Sequence, residues 1–110
     1  VEWAIDGRGA LPAKQFFDGL RPEEQAKFLA LFKRLAHEGR ITNPEHFKSV
    51  ERTGLFEFKK HQLRFLGNFR PGGRFLIAYG LRKKKDKLDR EDIEKAQRIL
   101  EENDTREGRT

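Results

Sequence analysis

Three apolar-rich segments, residues 55–60, 63–69 and 74–81, are separated only by His61-Gln62 and by Pro71-Gly72-Gly73. Links this short cannot carry a crossover, so the segments must run as antiparallel neighbours in one sheet. Strict alternation in the third segment would put Phe75, Ile77, Tyr79 and Leu81 on one face, and Arg74, Leu76, Ala78, Gly80 and Arg82 on the other. Small residues beside the arginines predict room for a ligand on that second face.

The flanking sequence supplies what covers the sheet. Residues 1–5 read as a short first strand ending at the turn signal Asp6-Gly7-Arg8-Gly9. Residues 12–20 predict a short helix burying Phe16 and Phe17. Residues 21–39 predict a longer one, with Pro22 at its first position, Glu23 and Glu24 in its first turn, His37 near its end and Gly39 as terminator. Its stripe Phe28, Leu31, Phe32, Leu35 and Ala36 must pack on the sheet. Asn43-Pro44-Glu45 predicts a single turn that points Phe47 and Val50 inward, and Thr53-Gly54 opens the sheet region. Asp89 caps a last helix through about Glu102, with Ile93, Ala96, Gln97 and Leu100 on one stripe. The expected class is α+β in one domain, residues 1–103, with 104–110 as a frayed tail.

Charge is distributed unevenly over this frame. Between Lys59 and Arg90 stand eleven basic residues against Asp86 and Asp89, a local net of +9 in a chain that nets +6, so the remainder is acidic. These charges alternate with Phe58, Leu63, Phe65, Phe69 and Phe75, and therefore sit on a folded surface rather than in a solvated tail. A cationic sheet face suits a phosphate-bearing polyanion, since each neutralised phosphate releases counterions. Lys60, Arg70, Arg74, Tyr79, Lys83, Lys84 and Lys85 are the candidate RNA contacts.

Most catalytic patterns are excluded. The chain has no Cys, so thiolate zinc sites, cysteine nucleophiles and disulfides are out of reach. His37, His46 and His61 lack paired ligand spacing, Gly72-Gly73 is hairpin chemistry, and Ser49, the only serine, has no nucleophile elbow. No cofactor or metal is implied. With no apolar run of 18 residues and no basic n-region before an apolar core, the expected location is the cytoplasm. RNA cleavage needs no metal, because the substrate's own 2′-hydroxyl can attack when the protein supplies a base, an acid and cations. Glu57 and Lys59 share one strand face, and antiparallel pairing is expected to bring Arg64 and then Arg82 beside them, with His61 in the turn between. Each residue also has a plainer reading. Glu57 can be a salt-bridge partner of Arg64 or Lys59, His61 a solvated turn residue, Tyr79 a half-buried aromatic, and Lys83 to Lys85 solvent-exposed charges.

The strings Gly54-Leu55-Phe56-Glu57-Phe58-Lys59, Leu63-Arg64-Phe65-Leu66 and Ala78-Tyr79-Gly80-Leu81-Arg82-Lys83-Lys84, in the order strand, two helices, antiparallel strands, terminal helix, resemble the RelE/HigB toxins in their phage-derived Gp49-like branch. The similarity covers about residues 28–100. It implies a RelE/ParE-like fold: a small, antiparallel-dominated sheet with two N-terminal helices on one face and a C-terminal helix. It further implies the toxin of a type II toxin-antitoxin pair that cuts mRNA in the ribosomal decoding site, contacts 16S rRNA, and is held by a cognate antitoxin, in this branch usually a helix-turn-helix DNA-binding protein. The family's transition-state arginine falls at Arg64 and its arginine beyond the last strand at Arg82. The RelE lysines fall at Leu55 and Glu57, and the RelE tyrosine near Leu88. Glu57 then stands as base, as carboxylates do in some relatives, with His61 as the alternative and Tyr79 or Phe69 as stacking surfaces.

Two other functions fit the same residues. A toxin of this fold can poison DNA gyrase through protein contacts, and would tolerate loss of Arg64 and Arg82. A non-enzymatic RNA or ribosome binder would need the basic face but not Glu57 or His61. A DNA-reading module fits poorly, because no helix carries a basic recognition face. An acidic or helical antitoxin element lying across Lys59, Arg64 and Arg82, or displacing the terminal helix, would silence the site.

Overall fold

A computed structural model describes residues 1–85 and 87–108; Asp86, Arg109 and Thr110, the last two within the expected tail, lie outside the described residues. The elements are β1 (Glu2–Trp3), α1 (Pro12–Asp18), α2 (Pro22–Glu38), β2 (Phe47–Val50), β3 (Leu55–Lys60), β4 (Leu63–Arg70), β5 (Arg74–Arg82) and α3 (Arg90–Arg106). The strands form one sheet in the order β1-β5-β4-β3-β2, antiparallel except for β1, which lies parallel to β5. The α+β, RelE-like architecture expected from the sequence is the one observed.

The helix signals act where they were read. Pro22 opens α2, the Glu24 carboxylate accepts the Arg21 backbone N–H at 3.1 Å, and Gly39 ends the helix in the left-handed region at φ 72°. Phe28, Leu31, Phe32 and Leu35 are buried against the sheet with Phe17 of α1, Phe58, Phe65, Phe75 and Ile77. Phe65 is fully enclosed, with Phe28 edge-on at 4.8 Å and Phe16 at 5.6 Å. Such pairs add about 0.5–1.5 kcal/mol each beyond their burial, so this aromatic layer fixes the two helices on one face. α3 covers the opposite face, burying Ala96, Ile99 and Leu100 against Leu55, Leu66, Leu76, Ala78 and Leu81.

The structure corrects the sequence reading at three places. First, alternation in β5 breaks. Leu66 pairs with Tyr79 but Gly67 pairs with Ile77, so Ala78 is an extra residue, a β-bulge. Phe75 and Ile77 face α1 and α2, whereas Tyr79 and Leu81 turn to the α3 side with Leu76 and Ala78. Gly80 and Arg82 are thereby put on the helix-pair side. The space beside Gly80 is filled rather than open, since a Cβ there would come within 2.5 Å of the Phe16 ring. Second, the turn at Asn43 leads into a four-residue edge strand, β2, that pairs with β3 from Phe47↔Phe58 to Val50↔Leu55. Third, α3 continues through Arg106. Asp104 in its last turn takes a two-pronged contact from Arg70 at 2.8 and 3.0 Å, and Glu107 at its end is bound by Arg74.

Glu24 makes stability depend on acidity. The Arg21 backbone N–H, then the guanidinium groups of Arg21 and Arg82, hold its carboxyl at about 2, against the ordinary 4.5. A carboxyl depressed on folding stabilises the protein above its unfolded value and loses that contribution as pH falls toward its folded value. The melting temperature of wild type is therefore expected to fall steeply between about pH 4.5 and 2, and that of Glu24→Gln to fall less over this window. Equal slopes in thermal melts would contradict this role.

Candidate functional site

The pleat of β3 and β4 aims Leu55, Glu57 and Lys59, with Arg64 and Leu66, at the α3 side. Lys59 pairs in register with Arg64, and Glu57 with Leu66 on one side and Lys48 of β2 on the other. Glu57 and Arg64 are each 1% exposed, and the guanidinium Nε lies 3.2 Å from Glu57 Oε2. Arg64 also donates Nη1 to the carbonyls of His61 at 2.6 Å and Leu63 at 3.0 Å, and Nη2 to that of Lys85 at 3.4 Å. Two unit charges buried in this way persist because each neutralises the other, with Arg64 held further by its bonds to backbone carbonyls.

One side of Glu57 opens to a cleft of about 470 Å³ lined by Lys48, Ser49, Val50, Glu51, Lys87, Leu88 and Ile93. Lys48 Nζ is 4.0 Å from Glu57 Oε1, and its side chain is half exposed. The far wall is the chain leaving β5, and Lys83 anchors it. The Lys83 ammonium bonds Asp89, the cap of α3, and Asp92 in its first turn, while its backbone N–H reaches the Gln62 carbonyl at 2.6 Å. Those two carboxylates, Asp89 first, raise the Lys83 pKa, and Lys83 in return lowers that of Asp89. A buried carboxylate at the floor of a cleft, fixed by an adjacent guanidinium and with Lys48 and Lys87 on the lining, can accept a proton beside a bound phosphodiester.

The other expected site residues are dispersed. Arg82, which was expected beside Glu57, lies across the sheet with Nη1 3.4 Å from Glu24 of α2, because the bulge at Ala78 inverts the end of β5. His61 sits in the turn at φ 53° with its ring 3.3 Å from the Lys27 ammonium of α2, and it supports the site through its carbonyl. Lys60 meets His46 at 3.3 Å, and Lys59, Lys60 and His61 border a separate hollow with Glu45 and His46. Arg70 and Arg74 lie at the opposite end of the β4–β5 hairpin, Arg70 bound to Asp104 and Arg74 to both Glu2 and Glu107, so they tie the chain's ends together away from the cleft. Tyr79 is half-buried under the Lys95 ammonium, 5.8 Å from its ring centre, and Phe69 packs on the other face against Phe56 and Phe75. Lys84 and Lys85 are exposed. With Arg64 and Arg82 on opposite faces, no single element laid on one face covers both.

Sequence reasoning missed Lys48 and the cleft around it because it missed β2. A signal was present: Val50 and Leu55 flank a four-residue link whose Arg52 and Gly54 take φ 64° and 76°, which is hairpin chemistry. Among the described residues no group of three or more His, Asp or Glu side chains is placed to hold a metal ion, and no helix is long and apolar enough to cross a membrane.

No curated protein matches the sequence significantly. The family described as phage-derived protein Gp49-like matches residues 15–101, a span that includes the end of α1, all of α2, the four consecutive antiparallel strands and most of α3. A toxin family implies an antitoxin partner. The chain belongs to the phage-derived Gp49-like family, a family of RelE/HigB-type toxins.

Proposed function

We propose that this toxin is a ribosome-dependent, metal-independent mRNA endonuclease of a type II toxin-antitoxin system, acting in the cytoplasm and neutralised by a helix-turn-helix antitoxin. The observation that carries the reading is Glu57: a buried carboxylate, fixed by Arg64, that borders a cleft edged by Lys48 and Lys87. Glu57 takes the proton of the substrate 2′-hydroxyl as that oxygen attacks phosphorus. The bond to the 5′-oxygen breaks, the leaving oxygen takes a proton from solvent, and a 2′,3′-cyclic phosphate remains. Arg64 keeps Glu57 ionised and oriented, as neighbouring positive charge favours the carboxylate. The exposed Lys84, Lys85 and Lys87 on the chain after β5 supply contacts to mRNA and 16S rRNA phosphates, which is affinity without sequence information.

Purified toxin is added to a translating ribosome complex and, separately, to the same mRNA alone, and 5′ ends are mapped by primer extension. The expected result is cleavage in the decoding site only when ribosomes are present. Because Arg82 lies across the sheet from Glu57, Arg82→Ala is expected to lower the rate less than tenfold. Intact mRNA on ribosomes, with growth still inhibited in cells, would move the target elsewhere, to gyrase first.

A further inference from the structure

Lys48 and Arg64 both stand beside Glu57, but of this pair Lys48 lines the cleft that a substrate would enter. Arg64 is 1% exposed, does not line the cleft, and directs its guanidinium at Glu57 and at three backbone carbonyls. Turning it toward a phosphate would take the donor from those carbonyls, of which the Leu63 bond is buried, where an unmet polar group is costly. Lys48 differs in each respect. It rises from the edge strand β2, lines the cleft, is half exposed, and stands 4.0 Å from Glu57 Oε1, a loose contact of the kind that contributes little to stability. Its four-carbon stem lets the ammonium exchange the carboxylate for a nearby phosphate without disturbing the sheet.

We propose that Lys48 is the catalytic cation that meets the charge developing on the scissile phosphate, while Arg64 is a positioning residue for Glu57. This rests on the endonuclease reading and reassigns the role that family resemblance gives to Arg64. As the 2′-oxygen attacks, negative charge grows on the non-bridging phosphate oxygens. An ammonium fixed next to the base stabilises that charge without moving a proton of its own.

The test is single-turnover cleavage on the translating ribosome complex at saturating toxin, with wild type, Lys48→Gln, Lys48→Arg and, as a control on the exposed face of α2, Lys33→Gln, together with thermal melts of each. Lys48→Gln is expected to be about a hundredfold slower. Lys48→Arg should stay within about tenfold of wild type, because it restores the charge on a stem of similar reach. Lys33→Gln, across the sheet from the cleft, should cleave at the wild-type rate. Melting of Lys48→Gln should shift by no more than a few degrees, which separates loss of chemistry from loss of fold. Wild type that cleaves while Lys48→Gln keeps its rate overturns this inference alone. Wild type that leaves ribosome-bound mRNA intact overturns the endonuclease reading and this inference with it.

Discussion

Glu57→Ala is expected to destabilise the protein by about 3–5 kcal/mol, measured as the loss of unfolding free energy in urea. The magnitude follows from what is left behind. Arg64 would remain 1% exposed under α3 without the carboxylate that stands 3.2 Å from its Nε, and the carbonyls of His61, Leu63 and Lys85 to which it donates carry no full opposing charge. Removing one partner of a buried ion pair costs more than the contact contributed, because the charge that remains stays desolvated. The double substitution Glu57→Gln with Arg64→Met should therefore be more stable than Glu57→Ala alone, since it removes both charges. Were the single substitution nearly neutral, Arg64 would have to reach solvent easily, and its assignment as a fixed positioning group would fail.

Gly67→Ala is expected to be as damaging, with a loss of about 4 kcal/mol or no soluble protein. A Cβ at Gly67 would lie 2.0 Å from the carbonyl oxygen of Leu76 and 2.8 Å from the Phe75 ring. Neither can retreat, as Leu76 is backbone in the central strand pair and Phe75 is 2% exposed. The close approach exists because the register shifts between Leu66 and Gly67, so the cost of the methyl group measures how firmly the bulge is held. Gly19→Ala is the control. Its Cβ would meet nothing nearer than the Phe16 carbonyl at 3.6 Å, and its φ of −84° suits alanine. A small effect at Gly67 would mean that β4 and β5 can pair without the bulge, returning Arg82 to the α3 face.

The bulge also explains where sequence reading succeeded and stopped. The short links at His61-Gln62 and Pro71-Gly72-Gly73 determined three antiparallel strands, and the apolar stripe of α2 determined the face it buries, because both are local consequences of chain geometry. Tyr79, Leu81 and Arg82 were placed on the wrong faces because period-two alternation assumes an uninterrupted ladder. One extra residue at Ala78 inverts everything after it, and the only sequence signal is Gly67 opposite. Within the site, Glu57 and Arg64 were legible from register alone. Arg70 and Arg74 were misplaced for another reason: their partners Asp104, Glu2 and Glu107 lie 34, 72 and 33 positions away, a distance at which charge in sequence carries no information about pairing. A window of net +9 thus overstates the cationic surface, since Arg70, Arg74 and Lys83 are each matched by carboxylates from α3 or from the first strand.

Among the described residues, Lys48, Lys84, Lys85 and Lys87 are exposed on or next to the cleft, whose lining includes the buried carboxylate of Glu57. The central claim is that this carboxylate is the base, and the most direct measurement is the chemistry of the cut ends. Wild type and a folded Glu57→Gln are each incubated with ribosomes programmed with mRNA, or with the same mRNA carrying 2′-deoxy nucleotides across the decoding site, and the termini are analysed. The expected products are 2′,3′-cyclic phosphate and 5′-hydroxyl ends from wild type on the all-ribose message, with the deoxy message intact and Glu57→Gln slower by about a hundredfold or more. Cleavage of the deoxy message, 3′-hydroxyl ends, or full activity in Glu57→Gln would contradict it.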